Sequence, residues 1–516
     1  MAISSIFNDV IGPVMRGPSS SHSAAACRIG LLLHDLMHGN VKSLVVDYDP
    51  NGSLVTTHES QGTDMGLYGG VLGWQADDPR MQDYRRYIQE AGISITVNYL
   101  SYGAQHPNNY RLSVSNDSIT HTVSAISTGG GMIEVQEIDG VTVSMNGDYH
   151  ELLVYGYDLG IIDGLLPAFE FDFKMIHTGF IQIKSARPFP NTLIESITKI
   201  PGVKDVCNLR AVLPVLSRKD LEVPFLTCEQ MMNHGQQEGL SLSELALAFE
   251  SQRGNIDSES VIQMMGNIYE VMKSAIETGL EGTHFEDRIL PVQSLGFRDK
   301  MRDKRLLDGG MLNTMVLYTT AMMEVKSSMG VFVAAPTAGS CGTVPGSLFG
   351  AAQVMGFDKE RVIRGLLAAG MIGVFISEHA TFSAEVAGCQ AETGAAGAMA
   401  AAGLVTMMDG TLEQSVGAAS LALQNSLGIV CDPIGNRVEA PCLGKNVMAA
   451  SNALSCANMA IANYEHLIPF DEVVQSMNEV GEMMAHELTC TGLGGLAATP
   501  TGKAIEARLK EKAKYC

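Results

Sequence analysis

From about Glu222 onward, apolar residues recur at helical spacing in one segment after another. The pattern covers 241–250, 258–279, 311–330, 359–377, 394–408, 413–427, 445–463 and 470–486. Apolar faces of this length and period bury themselves by packing helix on helix, so residues 217–516 are expected to form a mostly α-helical domain. Several of the segments, such as 395–408, are built from Ala, Gly and Met. They are too short and too punctuated to cross a bilayer, and their small residues instead predict closely packed helices. The 29 methionines read as core filler more readily than as a metal-binding stripe.

The first part of the chain follows another rule. Residues 1–145 read as an α/β domain, with helical spacing over 23–38 (Ile29, Leu32, Leu33, Leu36) and alternation over 41–48 and 54–57 that predicts strands. The turn Gly17-Pro18-Ser19-Ser20-Ser21-His22-Ser23 precedes the first helix. Serines there can cap the helix, and free backbone N–H groups at its start can hold a carboxylate. An ordinary helix cap is the plainer reading, yet Ser19, Ser20, Ser21 and His22 bring more polar chemistry than a cap needs. A second polar stretch holds His58, Gln61, Thr63 and Asp64, with Asp64 placed to cap a following helix. Ser127-Thr128-Gly129-Gly130-Gly131 reads as a tight loop without a nucleotide-binding pattern. Residues 146–216 follow the order β-α-β-β-α-β and resemble an ACT-type regulatory module. The usual Asp-x-Pro-Gly turn is replaced by Tyr157-Asp158-Leu159-Gly160. Effector binding and a purely supporting role both fit that unit.

At 516 residues the chain is too long for one core, and 46% hydrophobic against 17% charged residues describes a well-packed globular protein. A formal charge of −22 with no basic run argues against nucleic acid and anionic membrane as partners. The ten cysteines are scattered, and residues 1–12 lack a basic segment followed by an apolar one. A reducing cytoplasm is therefore the expected compartment. Three of those cysteines, Cys389, Cys431 and Cys442, sit among glycines, prolines and alanines, where loops can bring sulfurs together. Converging thiolates suit an iron–sulfur cluster or zinc. No CxxC pair is present, which argues against a zinc finger or ribbon, and plain buried thiols remain the alternative. The loop Ala335-Pro336-Thr337-Ala338-Gly339-Ser340-Cys341-Gly342-Thr343-Val344-Pro345-Gly346 interrupts the helical half with small residues and backbone donors.

Taken together, these motifs resemble the iron–sulfur-dependent L-serine dehydratases (L-serine ammonia-lyases). A β-type portion is matched by 17–23, Gly62-Thr63-Asp64, His106-Pro107-Asn108 and 127–134. An α-type portion is matched by 335–346, 385–404, 431–446 and 491–502, so portions that are separate subunits in some relatives look joined here. The resemblance implies a [4Fe–4S] cluster held by Cys389, Cys431 and Cys442, with one iron open as a Lewis acid for the leaving hydroxyl. It implies that the serine loop (Ser19, Ser20, Ser21, with Thr63 and Asp64) and Thr337, Ala338, Gly339 and Ser340 hold the substrate. In some relatives a C-terminal cysteine closes the open iron, which makes Cys516 a fourth candidate ligand. It lies on a basic extension (Lys510, Lys512, Lys514) that those relatives lack. Cys341 and Cys490 lie beside family motifs and are read as inert buried thiols. Cys27, Cys207, Cys228 and Cys456 are read as structural. The resemblance also implies a homodimer acting on a small amino acid, with an amino-acid effector or a supporting role left open for the ACT-like unit.

One departure bears on the chemistry. Relatives carry Gly-His-x-Thr-Asp where this chain has Ser60-Gln61-Gly62-Thr63-Asp64, and glutamine accepts no proton at neutral pH. His58 and His22 are the remaining proton-handling candidates near Gln61. The same residues are compatible with a β-elimination on L-cysteine, L-threonine or another 3-hydroxy amino acid. A non-catalytic amino-acid or redox sensor fits as well.

Overall fold

The computed structural model describes residues 3–513. The chain forms two compact units, one of residues 21–222 and one that joins residues 3–20 to 223–513. Cys516, the candidate fourth ligand, lies outside the described residues.

The 21–222 unit is α/β. Its larger sheet has six strands in the order Ser94–Tyr99, Ser43–Tyr48, Asn109–Ser115, Thr120–Gly129, Met132–Ile138, Val141–Met145. Ser43–Tyr48 runs parallel to Ser94–Tyr99, and every other pairing is antiparallel. Buried and less buried residues alternate along Ser43–Tyr48, as one covered sheet face requires. The helices Ala25–Leu36 and Thr63–Val71 pack on each other so closely that only glycine fits at the crossing. A Cβ on Gly70 would stand 2.2 Å from the Cys27 carbonyl oxygen, and one on Gly30 would stand 2.3 Å from that of Leu67.

Residues 150–209 form an antiparallel four-stranded sheet ordered Val203–Leu209, His150–Gly156, Phe180–Ser185, Phe173–Ile176. The helices Leu159–Leu165 and Asn191–Thr198 complete the β-α-β-β-α-β sequence. Strand and helix order there follow the sequence expectation. Leu54–Thr57 does not: this β-branched run is a single helical turn. The His58 N–H donates to the Leu54 carbonyl and the Thr57 hydroxyl donates to the Ser53 carbonyl at 2.7 Å, which closes the turn. Local alternation over four residues is too little to resist that closure.

The other unit is mostly helical. At its centre is Ala395–Met407, all of whose residues are buried. The helices Thr343–Met355, Lys359–His379, Leu412–Gln424 and Cys442–Ile461 pack around it. Alanine and glycine on every side let these backbones approach, so the small-residue segment is a core helix. Lys359–His379 is long and apolar enough to cross a membrane, but 78% of its apolar window is buried within the protein.

Residues 3–20 run through this same unit. The buried Glu250 carboxylate accepts from the Ser5 hydroxyl at 2.5 Å and from the Ile6 N–H at 2.8 Å. The short strand Val14–Met15 then pairs antiparallel with Phe332–Val333. That pairing brings the chain to the loop that begins at Ala334. The loop is shorter than expected, because Thr343–Met355 is already helix. Pro345 lies in its first turn, where no intrahelical N–H partner is required and proline is tolerated.

Candidate metal and substrate site

Each of the three cysteines marked in the sequence is presented by a different device. Cys389 ends the short helix Ala384–Cys389, which Gly388 breaks with φ 70° and ψ −175°. That left-handed backbone needs glycine, and a Cβ there would also meet the Ile429 carbonyl oxygen at 2.8 Å. Gln390, fully buried, ties the next residue down on both sides. Its amide donates to the Met477 carbonyl at 3.0 Å and accepts from the Gly428 N–H at 2.9 Å. Cys431 lies in extended chain, its N–H donating to the Leu488 carbonyl and its carbonyl accepting from the Cys490 N–H. Cys442 opens the helix Cys442–Ile461.

All three thiols are buried, and Cys389, Cys431 and Cys490 pack in one small cluster with Ala384. The sulfurs of Cys389 and Cys431 and a carboxylate oxygen of Glu392 lie within 4.8 Å of one another. Hydrogen bonds with Cys389 and then Cys490, and after them burial, push the Cys431 thiol well above its usual range. Burial, and next the charge of Cys389, raise that of Cys442. Holding the Cys431 and Cys442 sulfurs as thiolates in such a buried place calls for a compensating cation. Lys445 supplies part of that charge. Its ammonium lies 3.8 Å from Cys389 Sγ and donates to the Val430 carbonyl at 2.6 Å and to Asp432 at 2.7 Å. Lys326, fully buried, donates to the Val438 carbonyl and lowers the thiol of Cys442 by its charge.

Cys490 was read from sequence as inert, and the structure brings it to Cys431. It has a left-handed backbone, φ 64°, uncommon for a residue with a side chain. The pairing partner lies far away in the chain, so only its place beside the 491–502 motif pointed to it. Cys341, in contrast, packs against Met323 at 3.8 Å.

The loop after the Phe332–Val333 strand borders this cluster. The Thr337 hydroxyl donates to Glu392 at 2.7 Å, and the Ala338 N–H donates to the Ser20 hydroxyl at 3.3 Å. Asn446, one turn into the Cys442 helix, donates to the Gly339 carbonyl at 2.7 Å and accepts from the Thr343 hydroxyl at 2.9 Å. Ser340 closes the loop on itself through Thr337. Gly339 is packed against Glu392: a Cβ there would meet its carboxylate at 2.7 Å. Thr337, Ala338, Ser19 and Ser20 are buried, and of the serine loop Ser19 and Ser20 belong to this helical unit. Burial raises the Glu392 carboxyl to about 7, the charge of Glu385 adds to this, and the Thr337 hydrogen bond opposes it.

Ser21, His22, His58, Gln61, Thr63 and Asp64 belong to the α/β unit. The serines do not cap the Ala25–Leu36 helix, because Ser20–Ala24 is itself a helical turn leading into it. The Ser23 hydroxyl donates instead to the Gln61 carbonyl. His58 is buried, its Nδ1 2.9 Å from Asp64 Oδ1 and its Nε2 2.9 Å from the Tyr99 hydroxyl. Asp64 thus orients an imidazole, within a helix whose N-terminal flank is Gly62. His22 Nε2 lies 2.9 Å from the Thr57 hydroxyl. The Gln61 amide nitrogen, Thr63 hydroxyl, Asn108 amide nitrogen and Ser127 hydroxyl are buried without hydrogen-bond partners among the described residues. Buried polar atoms are ordinarily satisfied, and these four fall within stretches that the sequence marks as motifs.

A mixed α/β and helical protein with a buried, cation-flanked thiol cluster beside a glycine loop has the make-up of a soft-metal enzyme. Residues 237–497 match the family model described as serine dehydratase alpha chain, and the chain belongs to that family. It is 37% identical over 285 residues to "Probable L-serine dehydratase, alpha chain" of Bacillus subtilis (strain 168), covering 55% of this chain and 95% of that one. It is 36% identical over 280 residues to "L-serine dehydratase, alpha chain" of Peptoniphilus asaccharolyticus, covering 54% and 96%. "L-serine dehydratase 2" of Escherichia coli (strain K12) is 31% identical over 285 residues, covering 54% of this chain and 62% of that protein.

Proposed function

We propose that the protein is an L-serine ammonia-lyase that converts L-serine to pyruvate and ammonia with an iron–sulfur cluster. The observation that carries this reading is the buried pair of sulfurs at Cys389 and Cys431, within 4.8 Å of each other, with the buried Cys442 thiol raised by the charge of Cys389 and with Lys445 and Lys326 as flanking cations. That donor set suits a soft, thiolate-ligated iron–sulfur centre, and the names of the relatives supply the substrate. Cys389, Cys431 and Cys442 would hold a [4Fe–4S] cluster, which when bound would supply Lewis-acid chemistry for loss of a β-hydroxyl.

The chain's own residues do the rest. Lys445 and Lys326 offset the negative charge that thiolates would bring into a buried place. The Thr337–Ser340 loop, with Ser19 and Ser20, offers hydroxyls and N–H donors suited to a small carboxylate. Asn446 and Gly339 fix the position of that loop relative to Cys442 and Glu392. In the α/β unit, Asp64 holds His58 in one tautomer as a group able to take a proton, the role the family resemblance suggests for the histidine that Gln61 replaces. Residues 146–216 we read as an ACT-like module open to an amino-acid effector, and the working form as a cytoplasmic homodimer.

The test is 2-oxo-acid release (pyruvate from L-serine or L-cysteine, 2-oxobutyrate from L-threonine) by anaerobically purified full-length protein offered each amino acid. Pyruvate from L-serine at the highest kcat/KM is the expected result. A protein that holds iron yet turns over none of the three would overturn the assignment and favour a sensor.

A further inference from the structure

The Ala25–Leu36 helix of the α/β unit ends beside the edge strand Val203–Leu209, and three different donors meet there. His38 Nε2 lies 3.0 and 3.1 Å from the two carboxylate oxygens of Asp205. Cys207 Sγ lies 3.5 Å from Asp205 Oδ2 and 3.9 Å from His38 Nε2. The three donor atoms fall within 4.8 Å of one another. None of the three residues has a part in the lyase reading, and Cys207 was read from sequence as structural.

We infer that His38, Asp205 and Cys207 form a second metal site, one that takes zinc. With Zn–N and Zn–O bonds near 2.0–2.1 Å and a Zn–S bond near 2.3 Å, a tetrahedral ion spaces nitrogen from oxygen by about 3.3 Å and sulfur from either by about 3.6 Å. The observed triangle has those proportions. An ordinary hydrogen-bonded pair accounts for His38 and Asp205, but it does not call for a thiol facing both. The Cys207 S–H already has an acceptor in the Leu36 carbonyl at 3.4 Å. Backbone geometry also favours the arrangement. His38 stands just beyond the helix in a left-handed conformation, φ 51°, and a register shift between Val203 and Asp205 offsets the strand just before Asp205.

The donors are imidazole, carboxylate and thiolate, the set zinc accepts, and the half-exposed His38 leaves the fourth position to water. Binding exchanges the Cys207 thiol proton, released to solvent, for the metal, without any change of oxidation state. Zinc there would tie the end of the helix to the four-stranded sheet, beside the ion pair of Asp35 with Arg210 at 2.6 Å.

The test incubates anaerobic holoenzyme with zinc chloride, dialyses it, and measures zinc and iron per chain for wild type, His38→Ala and Cys207→Ser. Wild type is expected to retain one more zinc than either variant, with iron equal in all three. Its zinc-edge absorption spectrum should show a shell with a single sulfur. His38 is exposed, so its variant tests the site even where Cys207→Ser disturbs the core. Equal zinc in wild type and His38→Ala, or a shell of several sulfurs, would overturn the inference by assigning the zinc to the Cys389 cluster. Iron content is read in parallel, so a failure of the iron–sulfur reading is seen separately.

Discussion

Glu250 holds residues 3–20 in the helical unit, the segment that delivers Ser19 and Ser20, and its replacement by glutamine is a sharp perturbation. The carboxyl is fully buried. Burial raises its pKa from the ordinary 4.5 to about 7, against the hydrogen bonds from Ser5 and Ile6 and the charge of Arg253. Below about pH 4.5 the group is protonated in folded and unfolded chains alike and has no penalty. As pH rises toward 7 the unfolded carboxyl ionises while the folded one keeps its proton, so stability falls. Above that point the loss is constant, and a shift of this size corresponds to about 3 kcal/mol. Glutamine copies the protonated acid: its oxygen can accept from the Ile6 N–H and its amide can donate to the Ser5 hydroxyl. Glu250→Gln should therefore exceed wild type by just under about 1 kcal/mol near roughly pH 5 and by about 3 kcal/mol at roughly pH 8. In thermal unfolding of the full-length protein that is roughly 3 °C at the higher pH. A variant less stable than wild type by the same amount at both pH values would refute the reasoning, because the glutamine would then be failing as an isostere.

Gly339→Ala drives a methyl group against Glu392 and should lower kcat/KM for L-serine on the order of 100-fold; near wild-type turnover would show that the loop and Glu392 need not fit together. Lys445→Met removes the cation beside Cys389 and leaves the buried Asp432 with the hydrogen bond from the Leu496 N–H. A loss of about 3 kcal/mol in denaturant unfolding and reduced iron retention are expected, and an unchanged midpoint would contradict the role given to the pair. Gln61→Met replaces an amide nitrogen that has no partner. It should raise stability by about 1 kcal/mol while lowering turnover, and an unaltered kcat/KM would mean that the orphaned amide serves no ligand.

Helices of the C-terminal half were legible because a long apolar face repeats often enough to outweigh local ambiguity. The Ala395–Met407 core helix announced itself by small residues that only close packing can use. Cys389, Cys431 and Cys442 were marked by their setting among Gly and Pro. What stayed hidden depends on partners distant in sequence. Nothing near Ser5 indicates Glu250, and nothing near Cys490 indicates that its N–H donates to the Cys431 carbonyl. Leu54–Thr57 misled because four β-branched or apolar residues alternate equally well in a strand and in one helical turn. His38, Asp205 and Cys207 are unremarkable singly and meet only once helix and edge strand are folded together.

The central claim is that Cys389, Cys431 and Cys442 hold an iron–sulfur centre. The measurement that tests it most directly is iron and acid-labile sulfide in anaerobically purified wild type and in Cys431→Ser, alongside the visible absorption spectrum. The expected result is about four irons and as many sulfides per chain in wild type, with thiolate-to-iron absorption, and loss of both in the variant. Wild-type protein without iron, or a Cys431→Ser protein with undiminished iron and sulfide, would contradict it.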